Sequence, residues 1–192
     1  MRIFSSLYDR VMKWSVHPHA VRYLAALSFA ESSFFPIPPD VMLAPMALAR
    51  PPRAWNYAAL TTAASVLGGI LGYLIGTFAF GMVEPLLHEA GYWDSYLVAR
   101  AWFDEWGFIA IFVAGFSPIP YKVFTITAGV ISMAFLPFML ASAVGRGLRF
   151  FLVAGLMKLG GPAMEQSLRR YIDIIGWATV ALVVVAYFIF RG

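Results

Sequence analysis

Glu31-Ser-Ser-Phe-Phe-Pro-Ile-Pro-Pro-Asp40 lies inside an apolar stretch bounded by Arg22 and Arg50, and its reading decides the fold. A hydropathy window would count the whole stretch as one membrane span. Proline removes a backbone donor and disfavours helix in the residue before it, so Pro36 and Pro38 break the stretch in the middle. Residues 23–35 and 41–49 are each too short to cross roughly 30 Å of hydrocarbon as helix. Two half-helices that enter and leave on the same side fit better than one crossing. Broken backbone at membrane depth is tolerated only where it is buried in protein or lines a polar cavity.

The break occurs twice. Gly115-Phe-Ser-Pro-Ile-Pro-Tyr-Lys122 repeats the Pro-Ile-Pro core at Pro118 and Pro120, between the short apolar runs 107–117 and 123–135. An offset of 82 pairs Phe34 with Phe116, the two Pro-Ile-Pro cores and Val41 with Val123. An offset of 78 pairs Val66, Gly69 and Leu74 with Val144, Gly147 and Leu152 in the apolar runs that follow. Each unit thus reads as a broken hairpin followed by a full helix, repeat 1 over 20–83 and repeat 2 over 107–157. A hairpin returns to its starting side and one helix crosses, so the second hairpin must enter from the opposite face. The expected fold is an all-α integral membrane protein, an inverted repeat of re-entrant helical hairpin plus transmembrane helix. An amphipathic helix over 2–16, on the membrane surface or as a cap facing solvent, precedes it. An interfacial segment at 84–106 links the repeats, and a polar linker from Lys158 leads to a last transmembrane helix at 174–190.

Composition agrees. Of 192 residues, 61% are hydrophobic and 12% charged, where a soluble domain carries about a quarter charged. That excludes a soluble globular domain, a disordered chain and a nucleic-acid-binding domain. No cysteine is present, which removes thiolate nucleophiles, Fe–S clusters and Cys-based zinc. His17 and His19 lack a third ligand nearby and read as a solvated pair, so no metal and no cofactor are expected. Asp9 and Arg10 interrupt the start of the chain before any signal-peptide core. Residues 54–83 carry no charge, and Gly68, Gly72 and Gly76 recur every four residues along them. Such spacing lets a helix approach closely, either within the chain or from a second copy in a homo-oligomer.

Basic residues are distributed unequally. Arg2, Arg10, Lys13, Arg22, Arg50, Arg53, Lys158, Arg169 and Arg170 fall on one side of this topology, and Arg100 and Arg191 on the other. Nine against two places the N-terminus in the cytoplasm.

Five ionisable residues remain inside the apolar body: Glu31, Asp40, Lys122, Arg146 and Arg149. Each costs about 2.5–3.5 kcal/mol at mid-bilayer when unpaired. The set must be paired, hydrated or occupied by a ligand. Asp40 and Lys122 hold equivalent places after the two breaks and are expected to meet across the pseudo-symmetry axis. Arg146 and Arg149, three apart, share one helix face. Structural ion pairs are the competing reading. Three bases against two acids leave one positive charge over, which an anion would balance, and arginine's planar fork suits phosphate. Lys122, Arg146 and Arg149 are therefore the expected lipid-phosphate ligands. Glu31 and Asp40 are the expected proton-coupling or gating acids, because deep carboxyls can carry protons.

Glu31 through Asp40, the repeated Gly115–Lys122 segment and the following Gly145-Arg-Gly-Leu-Arg149 helix resemble the DedA superfamily, which shares the VTT or SNARE-associated domain. The short chain and its PIPYK segment resemble the YqaA-type branch most. The resemblance covers residues 20–160. It implies a bacterial inner-membrane protein with two re-entrant hairpins that moves lipids, undecaprenyl phosphate or a phospholipid, between leaflets as a flippase or scramblase. Glu31 and Asp40 match the family's two acidic positions. The better-studied branch carries two arginines around the second hairpin, where this sequence has Phe116 and Lys122; Arg146 and Arg149 are the candidates to supply the missing charge.

The leading expectation is a lipid transporter with membrane lipid and protons as partners. A small-solute or ion/proton antiporter is the alternative. A lipid-phosphate enzyme fits less well: no histidine lies in the apolar body, and no paired acids suggest a magnesium-dependent site.

Overall fold

The computed structural model describes residue 17 and residues 19–35, 37–117 and 121–161. The expected helix at 2–16, the expected span at 174–190, and Pro36, Pro118 and Pro120 lie outside the described residues. The described residues are helical, without a strand: α1 (Ala20–Ser33), α2 (Asp40–Ala49), a 3-10 turn (Pro51–Arg53), α3 (Ala54–Glu89), α4 (Trp93–Phe116), α5 (Tyr121–Val130) and α6 (Phe135–Gly161).

Length and composition separate these helices into two groups. The apolar stretches Pro51–Met82 and Phe135–Gly161, 32 and 27 residues, are long enough to cross a membrane. The others fall short in length or in apolar length. At 1.5 Å per residue, α1 is about 21 Å long and α2 and α5 about 15 Å each. α4 has 24 residues, but its first half carries exposed Asp94, Arg100, Asp104 and Glu105. The segment 84–106 is thus mostly helix. It forms the last turn and a half of α3 and the first half of α4, joined by a turn in which Gly91 adopts φ +72°. Along α6, Leu136, Leu140, Val144, Leu148, Leu152 and Leu156 form an exposed apolar stripe of period four. A stripe that continuous is a liability in water and suited to lipid.

Contact registers fix the helix directions. Ser28 Oγ donates to Thr61 O (2.7 Å), Ser32 Oγ meets Ser65 Oγ (2.7 Å) and Ser33 Oγ donates to Gly68 O (3.0 Å). Both series rise together, so α1 and α3 run parallel. A Cβ on Gly68 would stand 2.2 Å from Phe29 O, so only glycine permits this approach. Gly72 faces Thr125 and Gly76 faces Ile126, which makes α5 parallel to α3 as well. On α6 the order reverses against α3: Trp55 stacks on Phe151, Ser65 meets Arg146 and Tyr73 packs on Phe138. α4 follows α6, with Gly145 against Phe112 O and Arg149 against Ser117 O. Meanwhile Leu43, Met46 and Ala47 of α2 pack in one cluster with Ala20 and Leu24 from the start of α1. The chain therefore turns back after its first break. The two breaks are approached from opposite ends of the bundle.

Two apolar clusters form the core. One gathers the start of α1, α2, the start of α3 and the end of α6. The other gathers α4, α5 and the start of α6, with Ile70 and Tyr73 of α3 packed against it. Between them lies a polar layer.

Candidate functional site

The polar layer is built from helix ends and from the middle of the two long helices. α1 ends just after Glu31, and α2 begins at Asp40. α4 ends before Ser117, α5 starts at Tyr121-Lys122, and α6 delivers Arg146 and Arg149 from one face. All five ionisable residues expected at depth come to this layer, in pairings other than the expected one of Asp40 with Lys122.

Arg146 is 2% exposed and carries the larger part of the network. Its Nη2 pairs with Glu31 Oε2, and its Nε donates to Ser65 Oγ at 2.5 Å. Ser32 Oγ accepts a longer bond from Nη2, at 3.3 Å. The guanidinium lies between two rings, 4.9 Å from the Tyr121 centroid and 4.7 Å from that of Phe150. Cation–π attraction adds to the ion pair there, and more so when desolvated. Tyr121 is itself fixed by its hydroxyl, 2.5 Å from Ser142 Oγ. A buried charge with its donors committed on three sides is a fixed element. Arg146 ties α6 to α1 and α3.

Arg149 is more open. Its side chain is 19% exposed and that of Asp40 21%. Nη2 pairs with Asp40 Oδ2 at 2.6 Å and Nη1 donates to Ser117 O at 2.5 Å. One guanidinium thus holds the first residue after the first break and the last described residue before the second. Asp40 Oδ1 and Ser117 Oγ are buried and have no hydrogen-bond partner among the described residues.

Lys122 does not meet Asp40. α6 presents Arg149 to the start of α2, whereas Lys122 stands beside the C-terminal end of α1 and donates to Phe35 O at 3.3 Å. A cation near orphan helix carbonyls is favourable. Among the described residues no carboxylate lies within salt-bridge distance of Lys122. The surplus positive charge counted in the sequence therefore falls on Lys122, and both arginines have acidic partners.

Among the described residues no three His, Asp or Glu side chains are grouped to hold a metal ion. His17 and His19 lie with ring centroids 5.4 Å apart, away from the layer.

A model of the VTT domain matches residues 32–159. The chain belongs to the VTT-domain (DedA) family. The VTT domain so matched includes Asp40, Lys122, Arg146 and Arg149 and begins one residue after Glu31. An uncharacterized protein of Haemophilus influenzae is 51% identical over 192 residues, covering all of both chains. An uncharacterized homologue from Histophilus somni is 45% identical over 191 residues, again across both chains. No solved structure matches.

Sequence reasoning overlooked the neutral half of this VTT-domain site: Ser32, Ser65, Ser117, Tyr121 and Ser142. A signal existed for Ser65. Thr61 and Ser65 place hydroxyls about one turn apart on the uncharged part of α3, as an intramembrane hydrogen-bond partner requires. Tyr121 stands in the PIPYK motif itself, but nothing in its spacing marks it as the ring beneath Arg146.

Proposed function

We propose that this VTT-domain protein moves a phosphate-bearing lipid, undecaprenyl phosphate or a phospholipid, between leaflets of the bacterial inner membrane, coupled to proton uptake. One observation carries the reading: two helix breaks, approached from opposite ends, meet at a polar layer holding one cation without a carboxylate partner among the described residues. The helix directions support an inverted repeat of re-entrant hairpins. So does a recurrent contact: Gly68 against Phe29 O and Gly145 against Phe112 O, each carbonyl four residues before the end of the half-helix that leads to a break. Arg22, Arg50, Arg53 and Lys158 gather at the end of the bundle where α1 and α3 begin, which supports a cytoplasmic N-terminus.

In this reading Lys122 and Arg149 hold the phosphate. Lys122 gives only a carbonyl bond in exchange, and Arg149 has the more exposed of the two acid pairings. Arg146 joins only when Glu31 is protonated. Loss of the Glu31 charge weakens the link between α1 and α6, so proton uptake and opening of the layer become one event. Asp40 gates Arg149 in the same manner.

Leaflet exchange of a fluorescent phospholipid in proteoliposomes tests this. Lys122→Ala, Arg149→Ala and Glu31→Gln each slow exchange. Unchanged rates in all three, with Arg146→Ala also unchanged, would sink the assignment. Solute uptake driven by a pH gradient without lipid movement would put a small-solute or ion/proton antiporter in its place.

A further inference from the structure

The first hairpin holds a cavity of about 530 Å³ lined by His17, Tyr23, Leu27 and Met42. That volume lies within the range of small-ligand sites. Tyr23 is 58% exposed at its mouth, while Leu27 and Met42 are half-buried behind it. Tyr23, Leu27 and Glu31 are spaced four apart on α1, so they share one face. The apolar lining on that face reaches Leu27, and Glu31, the carboxylate paired with Arg146, stands one helical turn beyond it. The crevice itself is mostly apolar, and the ionic layer begins one turn past its lining.

We propose that this crevice between α1 and α2 seats one acyl or prenyl chain of the transported lipid, with the head group directed to the polar layer. The proposal rests on the lipid-transport reading and adds where the tail lies. An elongated ligand with an apolar tail and an anionic head matches the apolar lining and the charged layer one turn beyond it. A small polar solute does not match the apolar lining. The crevice opens beside the start of α1, at the end of the bundle that carries Arg22, Arg50, Arg53 and Lys158. The lipid is thus taken from, or delivered to, the leaflet on that side.

The chain lacks cysteine, so a single Leu27→Cys substitution can carry an NBD fluorophore with no background label. The full-length protein is placed in phosphatidylcholine vesicles containing increasing fractions of phosphatidylglycerol with a nitroxide on its acyl chain. Quenching at position 27 is expected to saturate. Quenching at Leu67→Cys, on an exposed part of α3, is expected to rise linearly with the nitroxide fraction. Met42→Trp fills the crevice and removes the saturable component; Tyr23→Trp at the mouth does the same should Met42→Trp disturb folding. Unlabelled phosphatidylglycerol competes, and diacylglycerol does so weakly. Equal competition by the two lipids would support the crevice and contradict the phosphate reading of the polar layer. Linear quenching at 27 identical to that at 67 would overturn the proposal. An absence of quenching, which assigns the crevice to the protein's own packing, would overturn it as well.

Discussion

Replacing Glu31 by glutamine removes a single charge from the interior and leaves the shape almost unchanged. Arg146, 2% exposed, then keeps Ser65 and Ser32 as partners and the two flanking rings, but no anion. Breaking a buried ion pair by removing one partner costs about 3–5 kcal/mol. The glutamine carbonyl still accepts one bond and Glu31 is 13% exposed, so a loss of about 2–4 kcal/mol is expected. Arg146→Met alone strands Glu31 and removes the group between Tyr121 and Phe150, at a similar or larger cost. The double variant, with both charges gone, should recover part of that loss. A double-mutant cycle should therefore give a coupling of about 2 kcal/mol, within the range for directly paired groups. Reversible unfolding in mixed detergent–lipid micelles provides the four stabilities. Additive losses, with no coupling between positions 31 and 146, would refute the claim that this pair joins α1 to α6.

Further outcomes follow from the same geometry. Asp40→Asn should destabilise by less than Glu31→Gln, about 1 kcal/mol, because both partners are a fifth exposed and solvent screens the pair; the same unfolding assay ranks the two. Lys122→Ala should leave stability within about 0.5 kcal/mol while slowing lipid exchange, a separation read by running both assays on one preparation. Gly68→Val places side-chain atoms where Phe29 O stands 2.2 Å from a Cβ; α1 must move off α3, and the yield of folded protein should collapse. Tyr121→Phe removes only the bond to Ser142 and should cost about 1 kcal/mol, measured as a shift in the unfolding midpoint.

Much of the architecture was legible in the sequence because membrane burial leaves coarse marks. A proline pair inside an apolar run breaks a helix whatever surrounds it, so helices ending at Ser33 and Phe116 follow from Pro36, Pro38, Pro118 and Pro120. The uncharged run at 54–83 forms α3 for the same reason. Pairing was harder to read. Asp40 and Lys122 are equivalent by sequence offset, but equivalence under a pseudo-two-fold does not imply contact. Distance from α6 decided the matter, and Arg149 reaches Asp40 first. A surplus of charge counted over the whole set does not say which base is left without an acidic partner, and Arg146 has Glu31. The enclosure of Arg146 by Tyr121, Phe150 and Ser65 depends on how three helices meet, which no periodicity encodes. The linker at 84–106 reads as interfacial from its acids and tryptophans; it also holds good helix formers such as Leu97, Ala99, Arg100, Ala101 and Glu105, and α3 and α4 extend through it.

In the proposed function the polar layer recognises phosphate on a lipid. This is tested most directly by measuring leaflet exchange of two fluorescent lipids with the same tails, one phospholipid and one lacking phosphate, above their protein-free rates in one proteoliposome preparation. Protein-dependent exchange is expected for the phosphate-bearing lipid alone, with that difference lost in Lys122→Ala/Arg149→Ala. Equal acceleration of both lipids, or a preference that survives the double substitution, would contradict it.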